Sequence, residues 1–254
     1  MVVVGILSGK GGVGKTTITS NVAAALTSVF GRRTIILDTN ITSSHIRLHF
    51  GMYDEMKRTL EDVIKNESSL KKAIYSDSLV GVDIIPSPES LKGINLKKLK
   101  DLTTHLATSA YDFVIIDSAP GFRENVPYII KASDKILVIT TPQIPDVTDA
   151  LKLIELIRRI DRARKKEVII VVNRVKRKDY ELNEKQIKKM LDVENIVTIP
   201  EDEKVPESIS KGVPVVVYSK GSRASIAIKK LVGTLAGEEY KVRIIDRIKW
   251  FLGF

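Results

Sequence analysis

The 254-residue chain contains no cysteine. That excludes a disulfide framework, a thiolate nucleophile, cysteine-ligated zinc and a cluster held by protein thiolates. Histidine is nearly as scarce. His45, His49 and His105 stand at no metal-ligand spacing with nearby carboxylates, and no Ser–His–Asp order accompanies a nucleophile elbow. His45 and His49 are expected on a surface helix. Aromatic residues make up 6% of the chain with a single Trp, too few and too scattered for the stacking platform of an RNA reader. Glutamine occurs only at positions 143 and 186 beside 28% charged residues, a mix seen in heat-adapted proteins.

No apolar run approaches the roughly 20 residues of a membrane-spanning helix, and the longest aliphatic stretches, such as 168–172, are strand-sized. The apolar run at 2–7 has no basic segment before it and no small-residue cleavage site after it, unlike a secretory signal. Val2 stands where myristoylation requires glycine, and prenylation requires a cysteine the chain does not have. The expectation is a cytoplasmic protein that meets a membrane only peripherally, on the inner face of the cell membrane.

Acidic residues are also in deficit, 31 against 41 Lys plus Arg, a net charge of +10. Residues 1–150 carry 17 basic and 16 acidic side chains, while the remaining 104 carry 24 and 15. The surplus therefore lies in the C-terminal part. It gathers at Arg158, Arg159, Arg162, Arg164, Lys165 and Lys166, at Arg174, Lys176, Arg177 and Lys178, and at Lys241, Arg243, Arg247 and Lys249. Such asymmetry points either to an anionic partner, nucleic acid or lipid, or to solvated helix faces.

A hydrophobic fraction of 43% suffices for a sizeable core. Short β-branched runs at 2–7, 34–38, 82–86, 113–117, 135–140, 168–173 and 196–200 are apolar nearly throughout, as buried parallel strands are. Helical patterns near 14–30, 95–108, 123–132, 146–164, 183–191 and 221–236 fall between them. The alternation predicts an α/β fold with one doubly wound, mostly parallel sheet and helices on both faces. The expected division is a single domain over 1–236 and a tail over 237–254.

Directly after the first run comes Gly9-Lys10-Gly11-Gly12-Val13-Gly14-Lys15-Thr16-Thr17, followed by a helix-compatible stretch. This is GxxxxGK(S/T) in its strand–loop–helix setting, the P-loop. Glycines let backbone amides turn inward on phosphate oxygens, and the helix N-terminus adds a favourable dipole. The expected ligands are ATP and Mg²⁺, with Lys15 on the β- and γ-phosphates and the Thr16 hydroxyl on the metal. Lys10 is a second lysine early in the loop, better placed to reach a nucleotide on a facing subunit than its own. The loop thus hints at a homodimer.

With GKGGVGKTT, the sequence resembles the deviant Walker A ATPases of the MinD/ParA family, most closely the MinD branch. The likeness extends over about residues 1–236. Asp112-Phe113-Val114-Ile115-Ile116-Asp117-Ser118-Ala119-Pro120-Gly121 is similar to the Walker B and switch II segment, and an Asp at a strand end can hold a metal-bound water. Asp38-Thr39-Asn40 resembles switch I. Asn173 resembles the residue that reads the adenine edge, although an Asn there taken alone is more often a turn residue. Pro200-Glu201-Asp202 is similar to the loop covering the base, which adds Pro200 and Asp202 to the expected nucleotide contacts. The resemblance implies an ATP-dependent homodimer, an activating or cargo protein, and spatial positioning of a division, motility or polar structure. Iron–sulfur relatives are excluded because the chain has no cysteine.

The sequence departs from the family's D-x-D at switch I, where the second Asp is Asn40. Asn keeps one acceptor oxygen but loses charge and basicity. Slow hydrolysis and a simple capping role for Asn40 both follow from that chemistry. A ParA-like DNA-binding ATPase and a slow-hydrolysing scaffold are the rival functions.

At the C-terminus, about 100° per residue brings Ile244, Ile245, Ile248, Phe251 and Leu252 onto one face, with Trp250 off the stripe. Basic residues outnumber acids four to one between 241 and 254. Such a helix reads as an interfacial anchor for an anionic membrane surface, each basic group contributing roughly 1 kcal/mol. The alternative is a last helix packed on the domain's own core.

Overall fold

The computed structural model describes residues 1–40, 45–54, 56–65, 69–87, 96–163 and 165–241. Its elements run β1 (Val2–Leu7), α1 (Lys15–Ser28), β2 (Thr34–Thr39), α2 (Leu60–Ile64), β3 (Tyr75–Ser76), β4 (Asp83–Ile85), α3 (Leu99–Thr108), β5 (Phe113–Ser118) and α4 (Val126–Ala132). They continue with β6 (Lys135–Thr140), α5 (Ile144–Ile160), β7 (Glu167–Val175), α6 (Glu184–Leu191), β8 (Ile196–Pro200), α7 (Lys204–Ser210), α8 (Val215–Tyr218) and α9 (Arg223–Ala236). The strands form one sheet in the order β3-β4-β2-β5-β1-β6-β7-β8. Every pairing is parallel except that of β3 with β4.

Side chains alternate across the central strands, so each face of the sheet has its own core. Val3 and Leu7 of β1 join Val114 and Ile116 of β5 beneath α3, α4 and α5. Val4 and Ile6 join Phe113 and Ile115 on the opposite face, beneath α1 and α9. This is why both strands are apolar at nearly every position. Gly5 stands where α4 comes closest, and a Cβ there would lie 2.5 Å from Ser133 Oγ.

The doubly wound sheet is the one read from the sequence. The differences lie at its margins. The strand expected at 82–86 contracts to Asp83–Ile85 and is flanked by β3, a two-residue antiparallel edge too short to show a period. The helix expected at 146–164 begins earlier, at Ile144 with Pro145 in its first turn, and ends at Ile160. α2, α7 and α8, of five, seven and four residues, are shorter than any helical pattern can be read from.

Packing also continues past the expected boundary at 236. Glu238 pairs with Arg32, and the Tyr240 ring lies 6.4 Å from that of Phe30. The expected terminal helix, with Ile244, Ile245, Ile248, Trp250, Phe251 and Leu252, falls outside the described residues. Among those described, no helix is long and apolar enough to cross a membrane.

Candidate functional site

All seven strands of the parallel set end on one edge, and the P-loop leaves β1 there, at the centre of the sheet. In open α/β sheets this carboxyl edge is where ligands bind. Gly14 caps α1 with φ 91° and no side-chain partner, leaving the first amides of a 14-residue helix directed out of the fold. Gly11 and Gly12 are exposed, while Val13 and Lys15 are buried.

Lys15 Nζ lies 3.0 Å from Asp117 Oδ1, and both side chains are buried. Thr16 Oγ1 donates to Asp117 Oδ2 at 3.1 Å, and Thr19 Oγ1 donates to Oδ1 at 2.7 Å. Parallel register sets Asp38 of β2 beside Asp117 of β5. Asp38 Oδ1 accepts the backbone N–H of Asn40 at 2.8 Å, and Thr39 Oγ1 donates to the Asp117 carbonyl at 2.8 Å. Asn40 is buried beside them, and Thr17 receives Ser20 and Asn21 on its carbonyl. The expected set Lys15, Thr16, Asp38, Asn40 and Asp117 therefore converges.

The donors fit Mg-ATP. One hydroxyl and two neighbouring carboxylates are hard oxygen ligands, the kind Mg²⁺ takes when phosphate and water complete its shell. Among the described residues no group of three or more His, Asp or Glu is arranged to hold a metal by itself. A buried lysine beside a helix N-terminus suits a polyphosphate.

Lys10 lies apart from this set. Its Nζ pairs with Asp146 Oδ1 at 2.8 Å, and just over half of its side chain, 54%, is exposed. Asp146 also accepts from Thr141 Oγ1 at 2.6 Å. The Asp146 carboxylate holds the Lys10 ammonium more firmly protonated than usual. Asn173 ends buried against the loop, with Nδ2 donating to the Val13 carbonyl at 2.9 Å. Pro200 stands opposite Val175, which brings β8's end alongside that of β7. Asp202 is nearby, its carboxylate accepting the backbone amides of Lys204 and Ala224 in the first turns of α7 and α9.

One expectation is corrected here. His49 is not on a surface helix: it is buried in a 3-10 turn, Ile46–Phe50, with Nδ1 3.2 Å from Ser20 Oγ. Burial pushes its pKa down to about 4, against the pull of Asp117. The two basic clusters within 158–178 lie toward opposite ends of β7. Arg158, Arg159 and Arg162 precede β7 and Arg174, Lys176, Arg177 and Lys178 follow its start by the strand's length, so nine residues, roughly 30 Å, separate the groups.

Thr19 and Asp146 were not read from the sequence. Thr19 follows Lys15 by four residues and so shares its helix face, a spacing that carries the signal. Asp146 lies 136 residues from Lys10 and has no local signal.

The CobQ/CobB/MinD/ParA nucleotide binding domain model matches residues 4–215. An ATP-binding protein of Methanocaldococcus jannaschii is 32% identical over 254 residues, covering 99% of this chain and 94% of that protein. A chain from the MinC:MinD cell division protein complex of Aquifex aeolicus superposes with a TM-score of 0.84 at 27% identity, covering 96% of this chain and 99% of that one. The septum site-determining protein MinD of Pyrococcus horikoshii, complexed with Mg-ADP, gives 0.81 at 28% identity, covering 95% and 99%. The P-loop set on the central strand and these likenesses converge: the chain belongs to the CobQ/CobB/MinD/ParA family of P-loop nucleotide-binding domains, within which it is MinD-like in sequence and fold.

Proposed function

We propose that this protein is a slow ATPase of the MinD type, which pairs with a second copy on Mg-ATP and binds an anionic membrane reversibly through residues 241–254. Its output is spatial positioning of a cell-division, polar or motility structure, through an activating or cargo protein. Bound Mg-ATP supplies the transferable phosphoryl group and the metal's charge. The loop amides and Lys15 would hold the phosphates, Thr16 and Asp117 would hold the metal shell, and Asp38 would orient the attacking water or the metal shell.

Lys10 is the observation that carries the reading. A lysine used only by its own nucleotide would be folded into the loop, as Lys15 is. Lys10 instead stands half-exposed, held by the carboxylate of the buried Asp146. That position suits contact with a nucleotide across an interface. For the membrane, support comes from the amphipathic basic pattern of the tail, doubled in a dimer by effective concentration.

Sedimentation with anionic liposomes and, separately, with duplex DNA, each with ATP or ADP, tests the proposal. The expected result is liposome binding with ATP, weak binding with ADP, and loss on truncation after Tyr240 with the P-loop domain still folded. DNA binding that falls steeply with salt and survives the truncation would overturn it in favour of a DNA-cycling ATPase.

A further inference from the structure

We infer that Asn173 is a strut that holds the P-loop in its phosphate-binding shape, a positioning role distinct from any reading of the base. The inference rests on the site being a nucleotide site, and it concerns how the loop is kept ready.

The amide of Asn173 meets the loop at two neighbouring residues. Its Nδ2 donates to the Val13 carbonyl at 2.9 Å, across 160 residues of sequence. It also lies so close to Gly14 that a Cβ built there would be 2.3 Å away. The two points bracket the peptide between residues 13 and 14. That peptide is trans, as all described peptides are, so its carbonyl and its N–H point in opposite directions. Turning the Val13 carbonyl toward β7 therefore turns the Gly14 N–H the other way, away from Asn173 and, on this inference, toward the phosphate site. An amide that faces inward before phosphate arrives need not be reoriented when it binds.

The end of β7 is built to deliver this side chain. Pairing with β8 shifts register between Val172 and Val175, and Arg174 within that shift takes a left-handed backbone at φ 58°. A residue other than glycine adopts that conformation at a cost of about 1 kcal/mol or more. Beyond it, the Val175 carbonyl accepts the Glu201 N–H at 3.0 Å and resumes the ladder. The irregularity is thus confined to the two residues that set the direction of Asn173, which is buried at 7% exposure while Arg174 is exposed. A base-reading side chain has no need to touch the loop. This one donates to it and fills the space a Cβ at Gly14 would need.

The test separates loop from base by using a ligand that has no base. Binding of Mg-ATP and of Mg-tripolyphosphate is measured by calorimetry for the unmodified protein and for Asn173→Ala and Asn173→Ser, with circular dichroism and thermal midpoints as the folding control. A strut predicts that Asn173→Ala weakens both ligands by the same factor, about five- to tenfold for one lost buried hydrogen bond. Asn173→Ser, which keeps a short donor, recovers part of both. Loss for ATP alone, with tripolyphosphate unchanged, overturns the strut and leaves a base reader; no loss for either overturns it as well.

A double-mutant cycle with Gly14→Ala supplies an independent readout. The added methyl collides with the Asn173 amide, so Gly14→Ala is expected to be less damaging in the Asn173→Ala background than alone. Strict additivity of the two changes would contradict the packing on which the strut depends. Failure of the unmodified protein to bind Mg-ATP would instead strike the nucleotide reading itself, so the two failures are distinguishable.

Discussion

The two edges of the sheet treat their acids differently. At the amino edge, Asp134 accepts the Val3 N–H at 2.8 Å and Asp112 accepts the Arg33 N–H at 2.8 Å, so each carboxylate closes a backbone donor at a strand's beginning. At the carboxyl edge, Asp117 is buried and receives an ammonium and two hydroxyls. Acids of the first kind finish the fold. A buried acid of the second kind is held by side chains that are themselves suited to phosphate and metal, an arrangement that serves chemistry more than stability.

Paired substitutions put the largest strain on this contrast. Asp117→Asn keeps the shape and is expected to lower steady-state ATP hydrolysis about 10²–10³-fold. Asp134→Ala is expected to leave hydrolysis unchanged and to lower unfolding stability by about 1–3 kcal/mol, because it strands the buried Val3 amide. Equal loss of turnover in both variants would break the comparison.

His49 sharpens it next. A native pKa of about 4 lies below the ordinary value of 6.5, so between those values the unfolded chain binds the extra proton. Stability should therefore be flat above pH 6.5 and fall by roughly 3 kcal/mol as pH drops toward 4. Denaturant titrations across that window check it, and His49→Gln should flatten the slope.

The smallest effect is expected at switch I. Restoring a carboxylate by Asn40→Asp should raise single-turnover hydrolysis about tenfold. An unchanged rate would assign Asn40 to local capping beside Asp38.

Much of this contrast was legible from the residues alone. Buried parallel strands carry an apolar signature that survives in any surroundings, and the glycine spacing of the loop has one common explanation. Local patterns could also give Asp38 and Asp117, because strand ends lie next to turns. What they could not give was pairing at a distance. Asp146 became the partner of Lys10, and Asp202 that of the Ala224 amide, only through the packing of α5 and α9. The burial of His49 was hidden for a similar reason: a 3-10 turn of five residues shows no period, and the surface that covers it is α1.

The central position of β1 bears on how the chain is made. Its two neighbours begin at Phe113 and Lys135, so no other interior strand waits as long between its own synthesis and that of its second neighbour. At about 5–20 residues per second, the apolar run at 2–7 waits on the order of 10 seconds with both edges unsatisfied. Non-local parallel pairing of this kind folds slowly. The interval is an opening for misassembly during synthesis, one that a nucleotide cannot shorten because its loop is not yet shaped.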